Sequence, residues 1–263
     1  MNLNLESKTA FISGSTQGIG FAIAKQLLTE GSNVIINGRS QEKMDIAIEE
    51  LKQISAKTSV SGIIADFSKP GEVKDLIAAL PDIDILINNI GVFELKSFES
   101  ITDSDWMNFF EINVMSGVRL SRALLPKMLL RGWGRVIFIS SESGINIPEN
   151  MIHYGMTKTA MVAIANGLAK LTKGTQVTVN SILGGPTYSD GVANAIAEIA
   201  ASQNQDVESL KSYISGTTNP TSLLQRFIAP DEIANLVTYL SSPLSLATNG
   251  ASLRADGGVL NTI

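Results

Sequence analysis

The chain contains no cysteine. That excludes disulfides, thiolate nucleophiles and cysteine-based metal sites, and it suits a reducing cytoplasm. Histidine occurs once, at His153. A metal centre would have to be built from that residue and carboxylates, and the sequence shows no such cluster, so no metal is expected. No block of basic residues stands out and the formal net charge is −5, which argues against a surface that neutralises nucleic-acid phosphates. No apolar run reaches the roughly 18 residues that a membrane span needs. The opening Met1-Asn2-Leu3-Asn4-Leu5-Glu6 lacks the basic-then-apolar pattern of a signal peptide. The expectation is a cytoplasmic protein whose partner is a small molecule, with no nucleic acid and no membrane.

The chain is 263 residues long and 44% hydrophobic, within the range of one large α/β domain. Short, β-rich apolar runs occupy 9–13, 33–37, 60–64, 83–88, 135–140, 177–182 and 251–254. Near-continuous apolar runs suit strands buried on both faces of a parallel sheet. Helical patterns of crossover length lie between them, at 18–30, 41–54, 71–80, 105–127 and 152–170, and Pro230-Asp231-Glu232 reads as a further helix start. The alternation predicts an α/β fold, a doubly wound parallel sheet of about seven strands with helices on both faces. One stretch, 187–228, breaks the rhythm. It has no clear strand and follows a strand near the ligand-binding edge, so it is expected to be a helical substrate lid within a single catalytic domain spanning 1–263.

After the first strand comes Ser13-Gly14-Ser15-Thr16-Gln17-Gly18-Ile19-Gly20, and then an apolar helix. Glycine permits the positive φ angles of a tight turn and lets a pyrophosphate approach the backbone. The following helix offers free N–H groups and the positive end of its dipole. The second strand ends at Asn37-Gly38-Arg39-Ser40. A protein that binds NAD usually presents an acidic residue about 20 positions past the glycines. Arg39 is there instead, and a guanidinium can clamp a phosphate through two parallel hydrogen bonds, with Ser40 adding a hydroxyl. NADP is therefore expected rather than NAD. The competing reading of Arg39 is a solvated surface charge, and Gln17 supplies no second cation.

Tyr154-Gly155-Met156-Thr157-Lys158 carries the proton chemistry. Residues four apart share a helix face, which sets the lysine ammonium beside the phenol. A free tyrosine, with a pKa of about 10, is a poor acid or base at neutral pH. A neighbouring cation lowers that value, so the pair is expected to exchange a proton near neutrality.

The glycine spacing, Asn88-Asn89-Ile90-Gly91, Asn113, Ser141 and Tyr154…Lys158 stand in the order of the short-chain dehydrogenase/reductase family. The chain resembles that family over essentially its whole length, and within it the NADP-preferring branch that includes β-ketoacyl-acyl-carrier-protein reductases. The resemblance implies NADP(H)-dependent hydride transfer between the nicotinamide and a carbonyl or secondary alcohol. It makes Tyr154 the general acid, with Lys158 holding the nicotinamide ribose, Ser141 bonding the substrate oxygen, and Asn113 helping to hold a water that links Lys158 to solvent. Ser140 would end the strand facing the other way. Asn89, Ile90 and Gly91 would border the cofactor, with Ile90 where alanine is common. Asp66 would accept from the adenine amino group with Phe67 beside the ring; its other reading is the N-cap region before Pro70. Leu183-Gly184-Gly185-Pro186-Thr187 resembles the family's Pro-Gly motif with the first proline replaced by Gly184. It implies carboxamide contacts from Ile182, Pro186 and Thr187.

The substrate pocket is expected to draw on Phe93, Glu94, Ser143, Ile145 and Ile147, with Tyr188, Val192, Ile196 and Tyr213 as an apolar ceiling. That favours a mostly apolar carbonyl compound. Lys211 and Arg226 are too few to announce an acidic carrier protein. His153 points about 100° away from Tyr154 on the helix and reads as a surface or interface residue. Trp106, Phe109 and Phe110 read as core or interface. By resemblance the chain would form a homotetramer, or a dimer, through 105–127 and 152–170, with 257–263 reaching a neighbour. The alternative function is a sensor that binds NADP without turnover.

Overall fold

Side chains alternate across a strand, so a strand buried on both faces feeds two separate cores. The computed structural model, which describes residues 2–261, is built this way. Seven strands, β1 (Thr9–Ile12), β2 (Asn33–Gly38), β3 (Val60–Ile64), β4 (Ile85–Asn88), β5 (Trp133–Ser141), β6 (Gln176–Gly184) and β7 (Ser252–Ala255), form one parallel sheet in the order 3-2-1-4-5-6-7. Helices α1 (Gly18–Thr29), α2 (Gln41–Lys52), α3 (Pro70–Ala79), α4 (Asp103–Phe109), α5 (Ser116–Arg131), α6 (Ile152–Ala169), α7 (Asp190–Gln203), α8 (Val207–Thr218) and α9 (Pro230–Ser241) connect them. Ile12, Ile36, Ile87, Ile137 and Ile139 point to one face, under α1, α2 and α9. Their neighbours Phe11, Ile35, Leu86, Val136 and Phe138 point to the other, under α3, α5 and α6. The strand order reverses between β1 and β4. The crevice beyond their carboxyl ends is where such sheets bind ligands.

The expected doubly wound sheet is therefore present, and most element boundaries move by only a residue or two. Pro70 and Pro230 each begin a helix, where a missing N–H costs nothing. The helix expected over 105–127 is longer and is not uniform. Thr102 caps its start, its hydroxyl accepting from the Asp105 N–H while Asp105 accepts from the Thr102 N–H at 2.8 Å. A π-helical turn, Phe110–Met115, then separates α4 from α5. Such turns shift side-chain direction locally and recur at functional sites. Asn113 lies in this one.

The 187–228 stretch leaves the sheet and returns to its starting point. The Tyr188 N–H donates to the Ile228 carbonyl at 2.9 Å and the Ile228 N–H to Pro186 at 2.8 Å, closing the base. Within it α7 and α8 build a small core of Ile196, Ala200 and Leu210, flanked by Tyr188 and Val192. Three of the four expected ceiling residues thus hold the stretch together from inside, and Tyr213 is 67% exposed. The two helices needed an apolar face for each other before they could offer one to a ligand.

One other expectation is corrected. His153 is fully buried, its ring centroid 4.1 Å from that of Phe109, with Trp106 set edge-on at 6.2 Å. It does point away from Tyr154, but α4 covers that side of α6, and burial holds its pKa below the usual imidazole range. The chain end also turns inward. Val259 and Leu260 are buried, and the Gly257 carbonyl accepts from the N–H groups of Leu223 and Leu224. Thr262 and Ile263, the last part of the expected intersubunit tail, lie outside the described residues.

Candidate active site

The glycine turn is shaped by close backbone approach. A Cβ on Gly20 would lie 2.4 Å from the Gly14 carbonyl oxygen, so α1 can drop onto the end of β1 only with glycine there. Gly14 and Gly18 have φ of 61° and 62°, and a Cβ on Gly14 would meet Ile90 Cδ1 at 2.9 Å. The bulk of Ile90 therefore presses on the turn itself. Asn89 pins the turn from the side, its amide donating to the carbonyls of Ser13 at 3.1 Å and Gly14 at 2.7 Å. Ser15 is buried rather than facing a ligand: its hydroxyl donates to Ile12 and accepts from the Asn37 N–H. Ile19 packs its side chain against the core under α1.

Gln17, the N-cap of α1, makes no side-chain cap, which leaves the first turn of the helix to an outside anion. The chain supplies a stand-in. Asp190, the first residue of α7, accepts from the Gly18 N–H at 2.6 Å. A carboxylate from a distant segment has settled where a phosphate would be received.

Beside the turn lies a cleft of about 500 Å³, walled by Thr16, Gln17, Arg39, Ser40, Asp66 and Gly91. Lys43 also lines it and donates to Gln17 Oε1 at 3.0 Å. Sequence reading placed no second cation here. The signal was present: Lys43 is the third residue of α2, where the helix dipole favours an acid. Ser40 caps the same helix, accepting from the Lys43 N–H at 3.4 Å, so its hydroxyl is partly committed. Asp66 is not a helix cap, because Lys69 holds that position in α3. Its carboxylate accepts from the Ser68 N–H and hydroxyl, which hold its pKa below the usual range. Phe67 borders the cleft but is only 3% exposed, its ring committed to the core beneath α3.

Where β4, β5 and α6 converge, the fold brings Ser141, Tyr154, Lys158 and Asn113 together. Gly155 makes this possible. A Cβ there would lie 2.8 Å from the Ser143 carbonyl oxygen, so glycine lets the turn after β5 lie flat on α6. Ser141 shares a hydrogen bond with the Tyr154 hydroxyl and accepts from the Ser143 N–H at 3.1 Å. Ser140 turns away from Ser141, as alternation requires, and ties the strand to α6 by donating to the Lys158 carbonyl at 2.8 Å. The Lys158 ammonium is buried, donates to the Ile139 carbonyl at 3.0 Å and lies 5.5 Å from the centre of the Tyr154 ring. A Cβ on Gly91 would come within 3.2 Å of that ammonium.

The electrostatics differ from the sequence expectation. Burial raises the Tyr154 phenol to about 12, the bond to Ser141 acts against that rise, and repulsion from Glu142 adds to it. Burial lowers Lys158 to about 8. The pair was expected to meet near neutrality through the lysine charge. Instead desolvation governs both groups, and the ammonium is turned toward Ile139. At neutral pH the phenol is protonated.

Asn113 is fully buried, and its side chain is a strut. It accepts from the Val92 N–H at 2.8 Å and donates to the Val92 carbonyl at 2.9 Å and Thr157 Oγ1 at 3.0 Å. Both polar atoms of its amide thus tie protein segments together. The Thr187 hydroxyl is likewise occupied, donating to Gly185 at 2.9 Å, while the Pro186 carbonyl accepts from Ile228. Ile182 is buried in the core beneath α9. Gly184 is not enforced by contact, since a Cβ there would meet nothing closer than 3.7 Å. Among the described residues no group of side chains could hold a metal ion, and no helix is long and apolar enough to cross a membrane.

Known proteins resemble this chain in sequence and fold. A family model described as short chain dehydrogenase matches residues 8–200. The uncharacterized oxidoreductase YvaG of Bacillus subtilis is 45% identical over the full length of both chains. The 3-oxoacyl-[acyl-carrier-protein] reductase of Aquifex aeolicus is 29% identical over 98% of this chain and 100% of its own. The crystal structure of L-sorbose reductase from Gluconobacter frateurii, complexed with NADPH and L-sorbose, superposes with a TM-score of 0.92 at 27% identity over the whole of both chains. The seven-stranded parallel sheet, the matched family and these relatives agree: the chain belongs to the short-chain dehydrogenases, oxidoreductases that act on CH–OH groups.

Proposed function

We propose that the protein is an NADP(H)-dependent reductase of a carbonyl compound, with Tyr154 as the proton donor. One observation carries the reading: Ser141, Tyr154 and Lys158 converge beside a cleft walled by two cations, Arg39 and Lys43. The chain suits a nicotinamide dinucleotide. The glycine turn admits a backbone-close phosphate, and Asp190 already behaves as an anion bound to it. Arg39 and Lys43 would take the ribose phosphate, Asp66 the adenine amino group, and Lys158 the nicotinamide ribose. When bound, the reduced cofactor supplies the hydride.

The rest of the chemistry falls to side chains. Ser141 and Tyr154 donate to the substrate oxygen, where negative charge grows as the carbonyl is reduced. Tyr154 then passes its proton to that oxygen. Its raised pKa keeps the proton on the phenol at neutral pH. Asn113 positions the site by fixing Val92 and Thr157 across it.

Phe93 stands edge-on to the Tyr154 ring, and Ile147 packs where Gly155 leaves room. Both are partly exposed, as is Ile145. These support a substrate with an apolar portion next to its carbonyl. The 187–228 stretch, closed at its base and anchored through Asp190 to the glycine turn, is the lid in this reading. A panel of aliphatic ketones, β-keto thioesters and ketoses, read by loss of NADPH absorbance, tests the assignment. Turnover is expected with NADPH on at least one carbonyl class. Turnover supported equally well by NADH would overturn the cofactor half.

Self-association as a tetramer is the accompanying proposal. It is supported by apolar side chains left in solvent on α4 and α5, among them Met107 and Leu130, the latter 89% exposed. Sedimentation equilibrium should return four times the chain mass of 28.0 kDa, and a monomer would refute it.

A further inference from the structure

One carboxylate stands at the start of two helices. Asp190 is the first residue of α7, and its Oδ2 accepts at 2.6 Å from the N–H of Gly18, the first residue of α1. Neither helix caps itself with a side chain, because Gln17 and Ser189, the two N-cap residues, make no such bond. The first turn of α1 also contains no acidic residue. The positive ends of both helix dipoles therefore meet the same anion. The two segments touch closely here. A Cβ on Gly18 would lie 3.5 Å from Ser189 Cβ and 3.8 Å from Asp190 Oδ2. A hydrogen bond from an N–H is directional, so a phosphate oxygen accepting from Gly18 would need the place that Oδ2 holds.

The carboxylate is also tethered to that place. Two positions before it, the Tyr188 N–H is fixed to the Ile228 carbonyl at 2.9 Å, and the Ile228 N–H holds the Pro186 carbonyl at 2.8 Å. A free carboxylate competes poorly with a phosphate, but a group on so short a tether acts at an effective concentration on the order of millimolar or more. The Asp190 bond is exposed to solvent, so it opens without disturbing either core.

We propose that Asp190 is a built-in competitor for the dinucleotide phosphate, an autoinhibitory latch between the 187–228 stretch and the glycine turn. The proposal rests on the reading of that turn as the phosphate site and adds a control to it. The dinucleotide binds only those molecules in which Asp190 has left the Gly18 N–H, so its apparent affinity falls in proportion to that fraction. The exclusion is reciprocal: a phosphate on the turn releases Asp190 from it as strongly as Asp190 opposes the phosphate. The latch acts at the glycine turn, whereas Arg39 and Lys43 wall the cleft beside it. It therefore penalises NADPH and NADH alike and leaves the choice between them to the two cations. Nothing in the sequence signals the contact, since its partners stand 172 positions apart.

The test needs no substrate and no turnover. Dissociation constants for NADPH and NADH are measured by fluorescence titration in wild type, Asp190→Ser and Asp190→Asn. Serine removes the charge and still suits a helix start, so α7 is kept; asparagine keeps a neutral acceptor of the same size. Asp190→Ser should bind both dinucleotides more tightly by the same factor, roughly three- to tenfold, the gain expected when a mostly closed latch is removed. Asp190→Asn should show part of that gain. A second readout uses the protein without nucleotide: hydrogen exchange, read by mass on the peptide spanning the glycine turn, should quicken in Asp190→Ser, because the Gly18 amide loses its acceptor. Circular dichroism confirms that each variant is folded. Unchanged or weaker binding in the folded variants, or unchanged exchange at the turn, overturns the proposal. A gain for NADPH without one for NADH overturns it too, since Asp190 would then act at the ribose phosphate. Normal wild-type binding with no gain in the variants sinks the latch alone, whereas a wild-type protein that binds neither dinucleotide sinks the cofactor reading and the latch with it.

Discussion

Tyr154→Phe should lose carbonyl reduction by on the order of a hundred- to ten-thousandfold in kcat, the range general-acid catalysis spans, while NADPH affinity stays within about twofold, well under 1 kcal/mol. The ring keeps its edge contact with Phe93 and its place on α6, so packing is preserved. What disappears is one O–H. Ser141 remains as the single donor at the substrate oxygen, and no other acid is set to replace the phenol. Lys158 is turned to the Ile139 carbonyl, and Asn113 has its amide committed to Val92 and Thr157. Steady-state reduction of the best panel substrate, paired with a fluorescence titration of NADPH, reads both quantities. Turnover within about tenfold of wild type, a loss of only ~1.4 kcal/mol in barrier terms, would remove Tyr154 from the role. A matching loss of NADPH affinity would turn it into a binding residue.

Removing the two cleft cations together should reverse cofactor choice. A hydrogen bond to a charged group contributes about 1.5–3 kcal/mol. Arg39 and Lys43 each face the cleft with such a donor. The double variant Arg39→Ala, Lys43→Ala should therefore raise the NADPH Michaelis constant by about a hundredfold or more, at 1.4 kcal/mol per decade. The constant for NADH, which lacks the extra phosphate, should hardly move. Each single variant should show part of the effect. Arg39→Ala has the larger share, since the planar guanidinium can bond phosphate bidentately, whereas Lys43 is a point charge shared with Gln17. Equal weakening of NADPH and NADH would mean that the two cations support the wall of the cleft rather than a phosphate.

The parts of the site that were legible in the sequence are those where backbone geometry dictates residue type. Gly14 and Gly18 take a positive φ and Gly20 lies against a carbonyl, geometry that glycine meets without steric cost. The same holds for Gly155 inside the Tyr154…Lys158 span. The parts that were not legible are those where a side chain had two possible partners. Ser15, Thr187 and the Asn113 amide all carry groups suited to a ligand, and the fold also bonds Ser15 and Thr187 to the backbone and Asn113 to Val92 and Thr157. Tyr188, Val192 and Ile196 were apolar residues in the right stretch, but they serve the inner core of α7 and α8. His153 reads from the sequence as a surface or interface residue, and it is buried within the chain because α4 crosses over it.

The sequence alone determined the doubly wound sheet, the glycine turn at its first crossover and the helix that pairs a phenol with an ammonium. Periodicity and glycine placement are local properties, and they survive without knowledge of what packs where. Tertiary structure decided the protonation of the site and the second cation of the cleft. A pKa depends on how much water each group loses and which charges end up beside it. Burial raised Tyr154 and lowered Lys158, and segments far apart in the chain set how deeply each group is buried.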